Sequence, residues 1–332
     1  MPRLKTLLIL AVSAVAALLA AGWYAFERHT VPMPEGAVRV LVPKGANVRS
    51  AAAALRERGI EVSPTLMLLR YRLRGLDGQL KAGTYEFASP QTIDSLLDKM
   101  VSGDTVVETI RFIEGWTFRQ MRAAIDAHPE LQRDTAGLSD AEVLKRIGAE
   151  ESHPEGLFMP ETYRFSPGVS DLEIYRQAYR LMKRKLSEAW ERRQPDLPID
   201  SPYAALVLAS IVEKETGKPE ERPKIAAVFV NRLRIGMMLQ SDPTTIYGLG
   251  DRFDGNLRKR DLQADTPYNT YTRGGLPPTP IALPGLASIE AVLAPADIKA
   301  LYFVSRGDGT SEFSNNLADH NRAVARYQLG RK

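Results

Sequence analysis

Ten consecutive residues without a charge, Tyr203 to Val212, run directly into Glu213-Lys214-Glu215-Thr216. This junction constrains the fold more than any other stretch. Ser201-Pro202 ahead of it is a helix start, with Ser as cap and Pro in the first turn, and Gly217 stops it. A helix that is apolar all round has to be buried all round, so the chain must supply other elements to surround it. One that ends in two carboxylates sets an acid at the edge of the core.

The two glutamates are not equivalent. At about 100° per residue they point roughly 200° apart, so they do not flank one bond together. Glu215 follows Leu208, Ile211 and Val212 on its face, whereas Glu213 follows Leu206, Ala209 and Ser210. The greasier surroundings belong to Glu215, and desolvation disfavours the ionised carboxyl. The negative end of the helix dipole acts in the same direction but is the smaller effect. Glu215 is therefore the candidate for an acid still protonated near neutral pH.

Downstream lie Leu239-Gln240-Ser241-Asp242-Pro243-Thr244, Tyr247, Pro267-Tyr268-Asn269-Thr270-Tyr271 and Gly275-Leu276-Pro277-Pro278-Thr279-Pro280. These loops are rich in amides, hydroxyls and tyrosines. Amides hydrogen-bond sugar hydroxyls and acetamido groups, and aromatic faces cover C–H surfaces. Gln240, Tyr268, Asn269 and Tyr271 are the candidates for orienting a sugar, with Glu213 beside them. Asp242, before a proline in a turn, reads either as an Asx-type structural residue or as a second carboxylate.

A second constraint stands at the other end of the chain, where no charge occurs from Thr6 to Phe26. As a helix that run spans roughly 30 Å, the thickness of a bilayer core. Arg3 and Lys5 precede it without an acid, and Trp23, Tyr24 and Phe26 close it. This predicts an anchor with its N-terminus in the cytoplasm and the remainder outside. A cleaved signal peptide is the rival, since Ala14-Val15-Ala16 has the small-x-small form, but that tripeptide lies in the middle of the run.

Composition removes whole classes of function. There is no cysteine, which excludes disulfides, thiolate metal sites and a Cys nucleophile. The four histidines, at 29, 128, 153 and 320, have no metal-ligand spacing, so neither metal nor cofactor is expected. His320 reads as structural, and with no Gly-x-Ser-x-Gly a serine hydrolase has no support. Lys and Arg total 44 against 40 acids, a small dispersed excess that does not suggest nucleic-acid binding. The basic run at 258–260 reads as a solvated face that could also meet acidic stem peptides or anionic lipid.

Between these ends the pattern predicts an α+β chain. Residues 27–37 read as a linker after an anchor at 6–26 and a cytoplasmic 1–5. Residues 38–105 have the order strand, helix, helix, strand: Val38–Val42, Asn47–Arg58, a helix after Ser63-Pro64, and Lys81–Phe87, with a further helix at Thr92–Val101. Residues 106–332 are mainly helical, with a long amphipathic helix at Asp171–Glu191. A hairpin around Gly307-Asp308-Gly309 and a last helix at Asn316–Tyr327 follow. Val40, Gly45, Val48 and Leu55 recur at an offset of 70 as Ile110, Gly115, Phe118 and Ile125, a pattern that duplication and coincidence both explain.

Ala209-Ser210-Ile211-Val212-Glu213-Lys214-Glu215-Thr216, Asn231-Arg232-Leu233, Leu239–Thr244, Tyr268–Tyr271 and Gly275–Pro278 together resemble the endolytic murein transglycosylases, the YceG-like family. The resemblance is strong from Ser201 to His320-Asn321 and weak before Val107. It implies a single-pass protein of the cell inner membrane with a periplasmic catalytic part, a LysM-like subdomain and a mainly helical, lytic-transglycosylase-like catalytic domain. Its substrate would be nascent peptidoglycan glycan strands, with peptidoglycan synthases as neighbours. The family's catalytic glutamate matches Glu215. Two departures stand out: Thr279 where the family often has Gly, and Leu283 where Asn or another polar residue is usual, which leaves the roles of residues 279–284 open. The expected reaction cleaves the MurNAc–GlcNAc bond and leaves a 1,6-anhydroMurNAc end. The alternatives are a muramidase that uses Asp242 as second carboxylate and a non-catalytic peptidoglycan-binding scaffold.

Overall fold

The computed structural model describes residues 13–15, 17, 29–215 and 217–330, which form a mixed α+β structure. The anchor expected at 6–26 lies outside the described residues apart from Ser13–Val15 and Ala17. Among the described residues no helix is long and apolar enough to cross a membrane. The described residues form two compact units, those up to Glu108 with 164–169, and those of 109–163 with those from Ser170 onward.

In the first unit Ala37–Val42 pairs antiparallel with Gly83–Ala88, Val40 opposite Tyr85. Between these strands lie the helices Val48–Glu57 and Pro64–Leu73, and Ile93–Ser102 follows. Asn47 caps the first helix by accepting from Arg49 N and Ser50 N at 3.0 Å, which satisfies amides that a helix start leaves unpaired. Val48, Ala51, Ala52 and Leu55 then fall on one buried face. The second strand starts later than its sequence suggests: Lys81 N–H donates to Met100 O at 3.1 Å, outside the ladder. The expected linker begins instead as a short strand, Thr30–Val31 paired with Gln91–Thr92.

In the second unit the Asp171–Glu191 helix buries Leu172, Tyr175, Tyr179 and Met182 as its spacing predicts. Tyr175 joins Phe118 and Phe158 in an aromatic cluster with ring centroids 5.2–6.1 Å apart. The repeated pattern has a local structural counterpart. Gly45 (φ 81°) and Gly115 (φ 78°) both adopt the left-handed conformation that glycine reaches without a Cβ penalty. Two residues after each, Asn47 and Thr117 cap the helix that follows.

The Pro202–Glu215 helix is buried from Ala205 to Val212. It is packed by Leu286–Leu293 and Arg222–Arg234 and touched by Asp171–Glu191. Fully burying Leu206, Leu208, Ile211 and Val212 contributes roughly 1.5–3 kcal/mol each. That burial holds the helix end, and its two carboxylates, in one place. A hairpin, Tyr302–Ser305 with Ser311–Ser314, leads into Leu317–Tyr327, whose cap Asn316 accepts from Asp319 N at 3.0 Å.

Candidate active site

The helix end separates its two glutamates. Glu213 Oε2 accepts from Gly285 N at 2.9 Å and from Ser288 Oγ at 2.7 Å, at the start of the Leu286–Leu293 helix. Its other oxygen lies 3.6 Å from Arg222. The carboxylate is occupied by protein, and its side chain is only 6% exposed. The expectation that Glu213 contacts substrate is corrected by these partners. The exposure ranking is corrected too: Glu213 is also withdrawn from water, and what distinguishes the pair is the company each keeps.

Among the described residues, one side chain hydrogen-bonds Glu215: Ser241 Oγ donates to Oε1 at 2.5 Å. Burial pushes its carboxyl up to about 7; the Ser241 bond opposes this, Asp242 adds to it and Arg232 opposes it. The turn that presents Ser241 is held at every step. Gln240 N donates to Thr270 O at 3.1 Å, and Ser241 N donates to Thr270 Oγ1 at 3.0 Å. Leu239 O accepts from Arg232 Nη1 at 2.6 Å. Gln240 itself sits at φ 51°, a conformation a non-glycine residue keeps only where its surroundings enforce it.

Asp242 opens the Asp242–Leu249 helix, is exposed, and accepts from Tyr271 Oη at 2.6 Å. That bond and burial hold the Tyr271 phenol in its neutral form, burial being the larger cause. Glu215, Gln240, Asp242 and Tyr271 line one groove of about 820 Å³, together with Arg232 and His320.

Two other expected contacts lie elsewhere. Asn269 is 0% exposed. Its Nδ2 donates to Ala264 O at 2.7 Å and Leu262 O at 3.0 Å, and its Oδ1 accepts from Tyr271 N at 2.9 Å. It shapes the loop that presents Tyr271, and a fully buried, satisfied amide has nothing left for a sugar. Tyr268 lines a different groove, with its hydroxyl against Thr279 Oγ1 at 2.8 Å. Leu283 is fully buried and exchanges backbone hydrogen bonds with Trp116 O (2.7 Å) and Gly115 N (2.9 Å), so the polar residue expected there is replaced by a core side chain. The basic run is a solvated face, with Arg258 paired to Asp254 at 2.6 Å.

Three further groups line the two grooves without being candidates by sequence for contact with a sugar. Arg232 is 7% exposed, bonds the carbonyls of Leu301, Met238 and Leu239, and lies 5.3 Å from the Tyr302 ring. Its signal was present: it shares a helix face with Ile225, Val228 and Phe229, and a charge on an apolar stripe calls for partners. His320 stacks on Tyr302 at 5.1 Å, with Nδ1 buried and, among the described residues, without a hydrogen-bond partner. Burial, then Arg232, lowers its pKa, which favours the neutral ring. Nothing local in the sequence marks it, because the hairpin brings it to the groove. Glu155 is 3% exposed and is pushed up to about 7 by burial. It lines the groove of Tyr268, not that of Glu215. Among the described residues no cluster of His, Asp and Glu could hold a metal.

Comparison with known proteins identifies the family of the chain. The sequence pattern of the YceG-like family matches residues 40–326. A Bacillus subtilis (strain 168) protein named endolytic murein transglycosylase is 31% identical over 307 residues, covering 87% of this chain and 84% of that protein. One of the same name from Streptococcus pneumoniae serotype 2 (strain D39) is 29% identical over 355 residues, covering 94% of this chain and 63% of its own length. The 2.6 Å crystal structure of a yceG-like protein from Listeria monocytogenes superposes with a TM-score of 0.55 at 30% identity, covering 87% of this chain and 100% of that one.

Proposed function

The chain belongs to the YceG-like family, and from that membership we propose that it is an endolytic murein transglycosylase, tethered to the membrane, with Glu215 as its acid and base. The observation that carries the assignment to Glu215 is a carboxyl pushed up to about 7 at the edge of a groove lined by Gln240, Asp242 and Tyr271. A glycosidase of the usual kind works with two carboxylates, one of them on a water or on the anomeric carbon. A lytic transglycosylase uses one group twice.

Glu215 in its protonated form donates to the oxygen that links MurNAc C1 to GlcNAc, and the C1–O bond breaks. The acetamido oxygen of MurNAc stabilises the positive charge that develops at C1, as in substrate-assisted glycosidases. Glu215, now a carboxylate, removes the proton of the MurNAc C6 hydroxyl, and O6 closes on C1. The glutamic acid is regenerated and no water is consumed. Ser241 orients the carboxyl in both steps, and Gln240 and Tyr271 hold the sugar, a role supported by their lining the same groove.

The charge-free run Thr6–Phe26, with Arg3 and Lys5 before it, serves in this reading as the single inner-membrane anchor and leaves the catalytic part in the periplasm. Residues 38–105 act as a LysM-like subdomain, a reading supported by the antiparallel pairing of Ala37–Val42 with Gly83–Ala88 around two helices. Residues 106–332 form the catalytic domain.

A muramidase is the second reading, because Asp242 lines the same groove as Glu215. Mass spectrometry of murein digested by the full chain separates the two, since hydrolysis leaves a reducing end one water heavier than an anhydro end. The expected result is anhydro ends with wild type and none with Glu215→Gln. Reducing ends alone would sink the transglycosylase reading.

A further inference from the structure

A second groove, of about 930 Å³, opens on the same unit, with Glu155, Lys214, Ile246, Tyr247, Phe253 and Tyr268 in its lining. It shares a wall with the first. Lys214 and Pro243 line the second groove, and their chain neighbours Glu215 and Asp242 line the first. The linings of the two grooves thus come within one residue of each other at the end of the Pro202–Glu215 helix and at the start of the Asp242–Leu249 helix.

The aromatic side of this groove is built with care. The rings of Tyr247 and Tyr268 meet edge to face, centroids 4.9 Å apart. Gly248 admits that contact, since a Cβ there would lie 3.0 Å from Tyr268 Cβ and 2.8 Å from Thr266 Oγ1. Both hydroxyls are taken by protein: Tyr247 Oη donates to Glu155 Oε2 at 3.0 Å, and Tyr268 Oη meets Thr279 Oγ1 at 2.8 Å. Glu155 Oε1 accepts from Phe118 N at 2.8 Å, which fixes the carboxyl from its other side. With their polar ends tethered, the two tyrosines offer rigid ring surface to a ligand, which suits the C–H face of a sugar. Lys214 adds an exposed cation on the rim.

We propose that this groove binds a second stretch of the same glycan strand, sugars beyond the bond held at Glu215, with their C–H faces against Tyr247 and Tyr268 and a stem-peptide carboxylate at Lys214. The inference rests on the transglycosylase reading and extends it. An enzyme that cuts inside a strand has to hold sugars on both sides of the bond, and a second groove whose lining begins one residue from Glu215 is within reach of a strand bound there. Glu155 is in this arrangement a positioning residue for Tyr247.

The test is equilibrium binding by the full chain in detergent, in a Glu215→Gln background so that the ligand survives, of murein glycan fragments of four and eight sugars carrying stem peptides. The eight-sugar fragment is expected to bind at least ten-fold more tightly. Tyr268→Ala should abolish most of that advantage, Tyr268→Phe should keep it because the ring face remains, and Lys214→Glu should reduce it several-fold. The idea is overturned if the long fragment has no advantage, or if neither Tyr268→Ala nor Lys214→Glu changes it, or if free stem peptide competes as well as the glycan. Should Tyr268→Ala fail to fold, Lys214→Glu at the exposed rim decides alone. The transglycosylase reading fails separately, if protein with the native Glu215 binds both fragments and leaves no anhydro ends.

Discussion

Ser241 Oγ donates to Glu215 Oε1 across a sequence separation of 26 residues, tying the last turn of one helix to the turn that opens another. This bond favours the carboxylate and so opposes the burial that keeps Glu215 protonated. Activity that needs the protonated acid falls as pH rises through about 7. Ser241→Ala is expected to move that alkaline limb to higher pH and, by freeing the carboxyl to rotate, to lower kcat about ten-fold. A pH–rate profile checks it; a limb left in place would show that the hydroxyl does not act on this group.

Asp242→Asn should do the opposite. The Asp242 charge raises the Glu215 pKa, so its removal brings the alkaline limb to lower pH, with kcat reduced less than about ten-fold and anhydro ends still formed. Loss of all cleavage in this variant, with reducing ends in wild type, would transfer the chemistry to the pair of carboxylates.

Glu215→Gln should lower the rate by about 10²–10⁴, the usual worth of a general acid, and it should also change stability. The folded chain holds the Glu215 proton up to about 7 against an ordinary value of 4.5. The stabilisation linked to that proton is therefore complete below 4.5 and is lost as pH rises through about 7. Above pH 8 Glu215→Gln should melt higher than wild type, by the equivalent of about 1–3 kcal/mol, and the difference should close toward acid pH. Thermal melts at pH 5 and pH 8.5 measure it. Glu155, raised for the same reason, titrates in both proteins and cancels from the comparison.

Glu213→Ala is expected to act on the fold. It removes one of the two carboxylates beside the Arg222 guanidinium, Glu114 remaining at 3.7 Å, and leaves Gly285 N and Ser288 Oγ without their acceptor. The cost should be about 1–3 kcal/mol in urea unfolding, the range for leaving buried donors without their acceptor. A loss below 1 kcal/mol would mean that the pair adds little.

Gln240→Gly separates strain from function. Glycine relieves the left-handed backbone at φ 51° and should stabilise the chain by about 1 kcal/mol. If the Gln240 side chain holds the sugar, KM rises at the same time. Higher stability with unchanged KM would leave Gln240 as a turn residue only.

Much of this protein can be read in one dimension. The helices at Val48–Glu57, Asp171–Glu191 and Pro202–Glu215 follow from periodicity, caps and stop signals, because helix formation depends on neighbours three and four residues away. The choice of Glu215 over Glu213 also came from local geometry, since two residues on one helix point in different directions wherever the helix lies. Burial does not set the two apart, because both carboxyls are covered; they differ in their partners, Ser241 for one and Gly285, Ser288 and Arg222 for the other.

Tertiary structure decided the rest. Asn269 and Tyr268 read from sequence as sugar contacts beside Tyr271, yet one turns inward to hold its own loop and the other turns to a second groove. Arg232, His320 and Glu155 reach their places through a helix face, a hairpin and a turn that adjacent residues do not specify. Sequence patterns record which side of an element faces the interior. They do not record which distant groups lie opposite, and hydrogen-bond partners and pKa values depend on those groups.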